Sequence, residues 1–139
     1  MKSHTGAVIT LGRGPIACDS TKQKINSKSS SEGEIIGATD GSTNVFYLRN
    51  LFIEQGYRMA PAKLYQDNQS TLALLNAGGP TSKRSRHIDI KYFYLKDRVE
   101  SGELELEYLP TDDMLADLLT KPLQGEKFRC LRDELLNWE

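Results

Sequence analysis

The chain has 139 residues, the size of one domain, and its 38% hydrophobic and 27% charged residues are typical of a globular protein. Its formal net charge is −1, so the total charge does not predict a nucleic-acid-binding protein. No apolar run approaches the ~20 residues of a membrane-spanning helix, and the N-terminus lacks a signal-peptide core, which predicts an intracellular protein without a membrane partner. Cys18 and Cys130 have no metal-type spacing and are predicted to be reduced thiols.

The N-terminal part, residues 1–31, is predicted to form a β-hairpin and a loop. Residues 7–11 favour a strand, Gly12-Arg13-Gly14-Pro15 is a turn signal, and residues 16–18 are predicted to return as the second strand. The polar stretch 21–31 is predicted to be a loop.

A long helix is predicted next. Ser31 and Glu34 have the spacing of a capping box, which predicts Ser31 as the N-cap. Apolar residues then repeat at helical spacing up to Gly56, the predicted end of the helix. Residues 40–44 are poor helix formers, which predicts a kink or a loosened middle.

The remainder, within residues 32–139, alternates predicted strands and helices. Residues 62–66 predict a buried strand and residues 69–76 a short helix. Residues 88–99 predict an amphipathic helix. Residues 103–108 alternate glutamate with leucine or tyrosine, which predicts a half-buried strand.

The C-terminal part is predicted to be helical. Thr111 is predicted to cap a helix that carries Asp117, and a final helix follows Pro122. The whole order, a hairpin followed by alternating helices and strands, predicts an α/β fold with a mixed sheet covered by helices.

Eight stretches resemble, in order, the ribonuclease H region of copia-type retrotransposon Pol polyproteins. They are Ser3–Gly6, Gly14–Ile16, Ser30–Glu34, Tyr47–Leu51, Asp67–Ser70, Arg86–Ile90, Glu105–Thr111 and Leu115–Leu123. The resemblance covers nearly the whole chain. It implies one partial ribonuclease H-like domain over residues 1–139, with a mixed β-sheet flanked by helices. The family's first strand, which is central in its sheet, has no counterpart here, so we expect an N-terminally truncated domain.

The resemblance also implies a hydrolase. In the family, carboxylates hold two Mg²⁺ ions that hydrolyse the RNA strand of RNA–DNA hybrids during reverse transcription. By motif, the catalytic and metal-binding residues are Glu34, Asp67 and Asp117. The family's fourth carboxylate, an aspartate on the first strand, has no counterpart, so we expect reduced activity or none, and whether the chain is an enzyme stays open.

Eight polar residues are candidates for binding the hybrid. Basic side chains contact phosphates irrespective of sequence, and short polar ones can reach 2′-hydroxyls in the minor groove. The candidates are Asn68, Gln69, Ser70, Lys83, Arg84, Arg86, His87 and Lys91. The expected partner in the same polyprotein is an upstream reverse transcriptase domain. The expected location is the cytoplasm, in a virus-like particle, with the nucleus as the alternative.

Each carboxylate also has an ordinary interpretation. Glu34 can be the capping-box residue, Asp67 can cap the helix that begins near Gln69, and Asp117 can lie on a solvated helix face. His87 can have a structural role at a helix start. For the chain as a whole, the alternatives are an inactive relict that binds nucleic acid and a recruited interaction domain without a nuclease role.

Overall fold

The computed structural model describes residues 4–24, 26–77 and 86–138. The elements in these ranges follow one another as β1 (His4–Leu11), β2 (Gly14–Lys22), α1 (Ser30–Glu54), β3 (Ala62–Gln66), α2 (Gln69–Asn76), α3 (Arg86–Glu100), β4 (Leu104–Tyr108), two 3₁₀ helices (Thr111–Asp113 and Leu115–Leu119) and α4 (Gly125–Leu136). The chain divides into two compact units, one made of Met1–Ser27 and Leu109–Glu139 and the other of Lys28–Tyr108.

In the first unit, β1 and β2 form the predicted antiparallel hairpin. Gly12 lies in the turn with a φ of +72°, a backbone conformation that glycine adopts without steric cost. The strands are longer than predicted and extend to Lys22, so part of the predicted loop 21–31 pairs with β1.

The predicted α-helix capped by Thr111 is wrong. Two short 3₁₀ helices occupy this stretch, the first has Pro110 as its N-cap without a side-chain hydrogen bond, and Met114 between them is extended. An extended residue interrupts the backbone ladder that a continuous α-helix requires. The predicted final helix is confirmed as α4, in which Leu131 is buried.

In the second unit, β3 and β4 are parallel, with Leu64 opposite Leu106. A parallel pair needs a long crossover, which the segment containing α2 and α3 supplies. One face of the pair packs against helices α1, α2 and α3. The buried residues of this core are Ile35, Ala38, Phe46, Leu75, Tyr92, Leu95 and Leu104.

The prediction that residues 62–66 form a fully buried strand is wrong. Lys63 and Tyr65 are exposed on the outer face, where Lys63 Nζ lies 2.7 Å from a carboxylate oxygen of Glu107. A two-stranded sheet covered by helices on one face leaves every second residue on the other. Residues 104–108 form the predicted half-buried strand.

Helix α1 is continuous through residues 40–44, so the predicted kink is wrong. Thr39 and Ser42 are buried, and each hydroxyl donates to a main-chain carbonyl within the helix, of Ile35 and Thr39 respectively. These bonds satisfy the polar groups, and tertiary packing offsets the weak helix propensity.

The coarse prediction of an α/β fold is confirmed. In the described ranges the strands form two separate two-stranded sheets. No helix in these ranges is long and apolar enough to cross a membrane. Cys18 and Cys130 are free, exposed thiols, as predicted.

Candidate active site

Glu34 lies in the second turn of α1, and the predicted capping box at Ser31 and Glu34 is wrong. The N-cap is Ser29, whose Oγ accepts a 3.2 Å hydrogen bond from the Glu32 amide. Glu32 Oε2 in turn accepts a 2.7 Å bond from the Lys28 amide. Three consecutive serines precede Glu32, and the chain uses the first of them. The capping role therefore falls to Glu32, and Glu34 is half-buried on the helix.

Asp67 follows the C-terminal end of β3 directly and is half-buried. The N-cap of α2 is its neighbour Asn68, whose Oδ1 accepts hydrogen bonds from the amides of Ser70 and Thr71 at 3.0 and 3.2 Å. Asp67 is therefore not the helix cap. Of the three polar residues predicted to reach the hybrid, Asn68 has a structural task, whereas Gln69 and Ser70 are exposed in the first turn.

Asp117 lies on the second 3₁₀ helix, and its interpretation as a solvated residue is wrong. Only 5% of its surface is exposed. Its Oδ2 lies 2.9 Å from Nζ of Lys121, a lysine four residues later that the sequence interpretation missed. The spacing of an acid and a base by four residues was the available signal.

The carboxylates suit Mg²⁺ chemically, because this ion prefers hard oxygen ligands. Glu34 and Asp67 belong to the unit Lys28–Tyr108, and Asp117 belongs to the other unit. In the part of the chain that the structure describes, no three or more His, Cys, Asp or Glu side chains are grouped so as to hold a metal ion. The donor types therefore fit the metal, and an assembled cage is not seen.

Among the basic candidates, Lys83 and Arg84 lie outside the described residues. Arg86 and His87 are exposed at the start of α3. His87 and Lys91 line one open groove of about 440 Å³, and Nζ of Lys91 lies 2.8 Å from Oδ1 of Asp40 on α1. Two of the predicted binding residues are thus brought together, and the ammonium group of Lys91 is paired with Asp40.

Comparison with known proteins finds relatives among retrotransposon Pol polyproteins. The chain is 35% identical over 128 residues, 91% of its length, to the retrovirus-related Pol polyprotein from transposon RE1 of Arabidopsis thaliana. It is 30% identical over 132 residues to that from transposon TNT 1-94 of Nicotiana tabacum, and 26% identical over 136 residues to the transposon Ty1-NL2 Gag-Pol polyprotein of Saccharomyces cerevisiae. The chain is homologous to a segment of retrotransposon Pol polyproteins.

This Pol homologue spans only about a tenth of its relatives, namely 9%, 10% and 8% of the three proteins. No protein-family model matches it, and no solved structure matches it. The predicted descent from a retrotransposon Pol polyprotein is confirmed. The nuclease activity, the metal and the roles of individual residues stay predictions.

Proposed function

We propose that this Pol homologue is a ribonuclease H-type domain, acting on the RNA strand of RNA–DNA hybrids by metal-assisted hydrolysis during reverse transcription. Homology to Pol polyproteins along 91–98% of the chain supports an origin in a polyprotein of this kind. Similarity to these polyproteins does not by itself specify a ribonuclease, so the proposed activity rests on the motifs and on the side chains that they contain.

One observation carries the proposal: the ordinary interpretations of the three candidate carboxylates do not apply. Ser29 and Glu32 cap α1, so that capping does not account for Glu34. Asn68 caps α2, so that capping does not account for Asp67. Asp117 is buried, so it is not a solvated surface residue. None of the three carboxylates is therefore a helix cap or a solvated surface residue, and all three remain candidates by motif.

The proposed metal is Mg²⁺, held by Glu34, Asp67 and Asp117. When bound, the metal would activate the attacking water and stabilise the leaving oxygen. The donor chemistry of the three side chains fits it. To hold the metal, Asp117 would have to give up its ion pair with Lys121 or use its other carboxylate oxygen.

The proposed contact with the nucleic acid is made by Arg86, His87 and Lys91. Arg86 and His87 are exposed, and His87 lies with Lys91 along the open groove at helix α3. Side chains of this kind bind the phosphate backbone through charge and hydrogen bonds, which gives affinity without sequence preference.

Cleavage of an RNA–DNA hybrid labelled on the RNA strand, with and without Mg²⁺, tests the proposal. The variants are Glu34→Gln and Asp117→Asn, each with a matched control on the same element or beside it. The control for Glu34→Gln is Glu32→Gln in the capping box, and the control for Asp117→Asn is Asp112→Asn, whose side chain is 89% exposed.

We expect the candidate-site variants to abolish Mg²⁺-dependent cleavage and the controls to retain it. The same assay is also run on a longer chain that includes an upstream Pol segment, because this chain spans only about a tenth of its relatives. Activity that survives both Glu34→Gln and Asp117→Asn would refute the assignment.

A second candidate function is binding without cleavage. It is favoured by the ion pair of Asp117, in which one carboxylate oxygen is already paired with the ammonium group of Lys121. A titration of the hybrid at several salt concentrations distinguishes the two, because phosphate contacts give an affinity that falls with salt. Salt-dependent binding with no Mg²⁺-dependent cleavage in either form of the chain would favour the binding relict.

A further inference from the structure

The short 3₁₀ helix Leu115–Leu119, which we call the Asp117 segment, has little to hold it in place by itself. The hydrogen bonds of 3₁₀ helices have poor geometry, and runs beyond three or four residues are uncommon. Here the Asp117 amide donates to the Met114 carbonyl at 3.1 Å and the Thr120 amide to the Asp117 carbonyl at 3.3 Å. No side chain caps the N-terminus of the segment. Contacts with the rest of its unit must therefore fix the position of Asp117.

The hairpin supplies part of those contacts, and helix α4 also packs against the segment. Gly6 on β1 and Ser20 on β2 lie directly opposite each other in the strand register. Ser20 Oγ donates a 2.6 Å hydrogen bond to the main-chain carbonyl of Leu119, the last residue of the Asp117 segment. Ser20 therefore holds the C-terminal end of the segment by a hydrogen bond.

The lack of a side chain at Gly6 leaves room for the other side of the segment. A Cβ atom at Gly6 would lie 2.8 Å from the carbonyl oxygen of Ala116 and 2.6 Å from Cγ2 of Thr120. A threonine methyl group can rotate away, but a main-chain carbonyl moves only if the backbone moves. Ala116 precedes Asp117, so the close main-chain approach that glycine permits lies next to the candidate ligand itself.

The two contacts flank Asp117 along the chain, one at the preceding residue and one at the second residue after it. A shift at either contact would rotate or displace the Asp117 side chain. Metal ligands tolerate little displacement, because Mg²⁺ demands near-ideal octahedral geometry. The side chain of Asp117 is buried, so it has little freedom to compensate for such a shift.

We propose that Gly6 and Ser20, which we call the hairpin seat, are positioning residues for the Asp117 carboxylate. This inference rests on the proposed function, in which Asp117 is a metal ligand. The hairpin is then more than a scaffold, because a register pair near its open end sets the position of Asp117. The two partners are far apart in the sequence, with 99 positions between Ser20 and Leu119.

Amide hydrogen exchange over residues 115–121 of the whole chain tests the proposal. Gly6→Ala should accelerate exchange there by about tenfold or more, as overpacking does, and Ser20→Ala by about fivefold, as the loss of one hydrogen bond does. The matched controls are Gly14→Ala, at the other end of the hairpin with nothing within 4 Å of the added Cβ, and Ser20→Thr, which keeps the hydroxyl. Both controls should resemble the wild type.

A second measurement separates positioning from general packing. Mn²⁺ alone is titrated while the broadening of the NMR signals of residues 115–121 is followed, at a temperature where every variant is folded. We expect Gly6→Ala and Ser20→Ala to need about tenfold more Mn²⁺ than the wild type, the lower end of the loss seen when a residue that supports a metal ligand is changed.

The outcomes are distinct. Unchanged exchange in both Gly6→Ala and Ser20→Ala overturns the positioning role, whatever the metal does. Faster exchange with an unchanged Mn²⁺ requirement also overturns it, because the hairpin seat then stabilises the Asp117 segment without positioning the carboxylate for a metal. If the wild type shows no Mn²⁺ effect at Asp117, the metal assignment of the proposed function fails, and the inference fails with it. If Gly6→Ala does not fold, Ser20→Ala decides alone.

Discussion

The buried carboxylate of Asp117 and the ammonium group of Lys121 lie 2.9 Å apart, and the lysine side chain is half exposed where the aspartate side chain is only 8% exposed. A buried charge is costly unless an opposite charge or hydrogen bonds compensate for it. The chain therefore supplies its own cation at the place where a metal ion is proposed to bind.

Replacing Lys121 by methionine should lower the free energy of unfolding by about 1–2 kcal/mol, because an acceptor is left buried without its charged partner. Urea denaturation measures the change. Lys127→Met is the matched control, since Lys127 pairs with Asp112 at 3.0 Å on the surface. That exposed pair should contribute less than about 1 kcal/mol.

Two additions make this test specific. Asp117→Asn together with Lys121→Met should restore most of the loss, because the uncompensated charge is then gone. Mg²⁺ should raise the melting temperature of Lys121→Met more than that of the wild type if the metal takes the place of the ammonium group. A Lys121→Met chain as stable as the wild type would show that the ion pair contributes nothing.

The start of α1 offers a direct test of the capping register. Ser29→Ala should destabilise the chain by about 1 kcal/mol, because the Glu32 amide loses its acceptor. Ser31→Ala, at the position that the sequence alone predicted as the cap, should change stability by less than about 0.5 kcal/mol. Thermal denaturation of both variants decides, and a larger loss for Ser31→Ala would contradict the observed cap.

Asn68 allows capping and substrate binding to be measured separately. Asn68→Ala should cost about 1 kcal/mol of stability through the lost cap of α2. Asn68→Asp keeps a capping oxygen and should retain the stability, but its negative charge should weaken binding of a hybrid if this residue faces the nucleic acid. Equal hybrid affinity in Asn68→Asp and the wild type would remove Asn68 from the binding residues.

The outer face of β3 and β4 predicts an alkaline pH dependence. The hydrogen bond to Glu107, and then the charge of that carboxylate, raises the pKa of Lys63 above its ordinary value of 10.5. A raised pKa in the folded state means that the contribution is complete below the ordinary pKa and is lost as the pH rises through the folded one. Lys63→Met should therefore be less stable than the wild type at neutral pH and equally stable at strongly alkaline pH. Urea denaturation at the two pH values measures the difference. A difference in stability that persists there would exclude this pair as its cause.

Most of the element positions could be predicted because their signals are local. The turn at Gly12 requires a backbone that glycine adopts readily, and the alternation of Leu104 and Leu106 with glutamates has the period of a strand. The helix containing Ile88, Tyr92 and Leu95 follows from its apolar spacing, and all three residues are buried.

The capping register could not be predicted, because Ser29, Ser30 and Ser31 are chemically equivalent candidates. The choice depends on which residues of α1 meet the core, where Ile35 and Ile36 are completely or almost completely buried. The same holds for residues 40–44, whose weak helix propensity is outweighed by the burial of Ser42 and Thr39.

By itself, the amino-acid sequence determined the order of strands and helices, the resemblance to retrotransposon Pol polyproteins and the identity of the three candidate carboxylates. Only the tertiary structure decided the environment of Asp117. On an α-helix with 3.6 residues per turn, Asp117 would lie opposite its neighbouring leucines and face water. The 3₁₀ conformation changes that spacing, and Asp117 is buried next to Lys121. The position of the segment depends on tertiary contacts, because its neighbours Gly6 and Ser20 lie about a hundred positions away in the sequence.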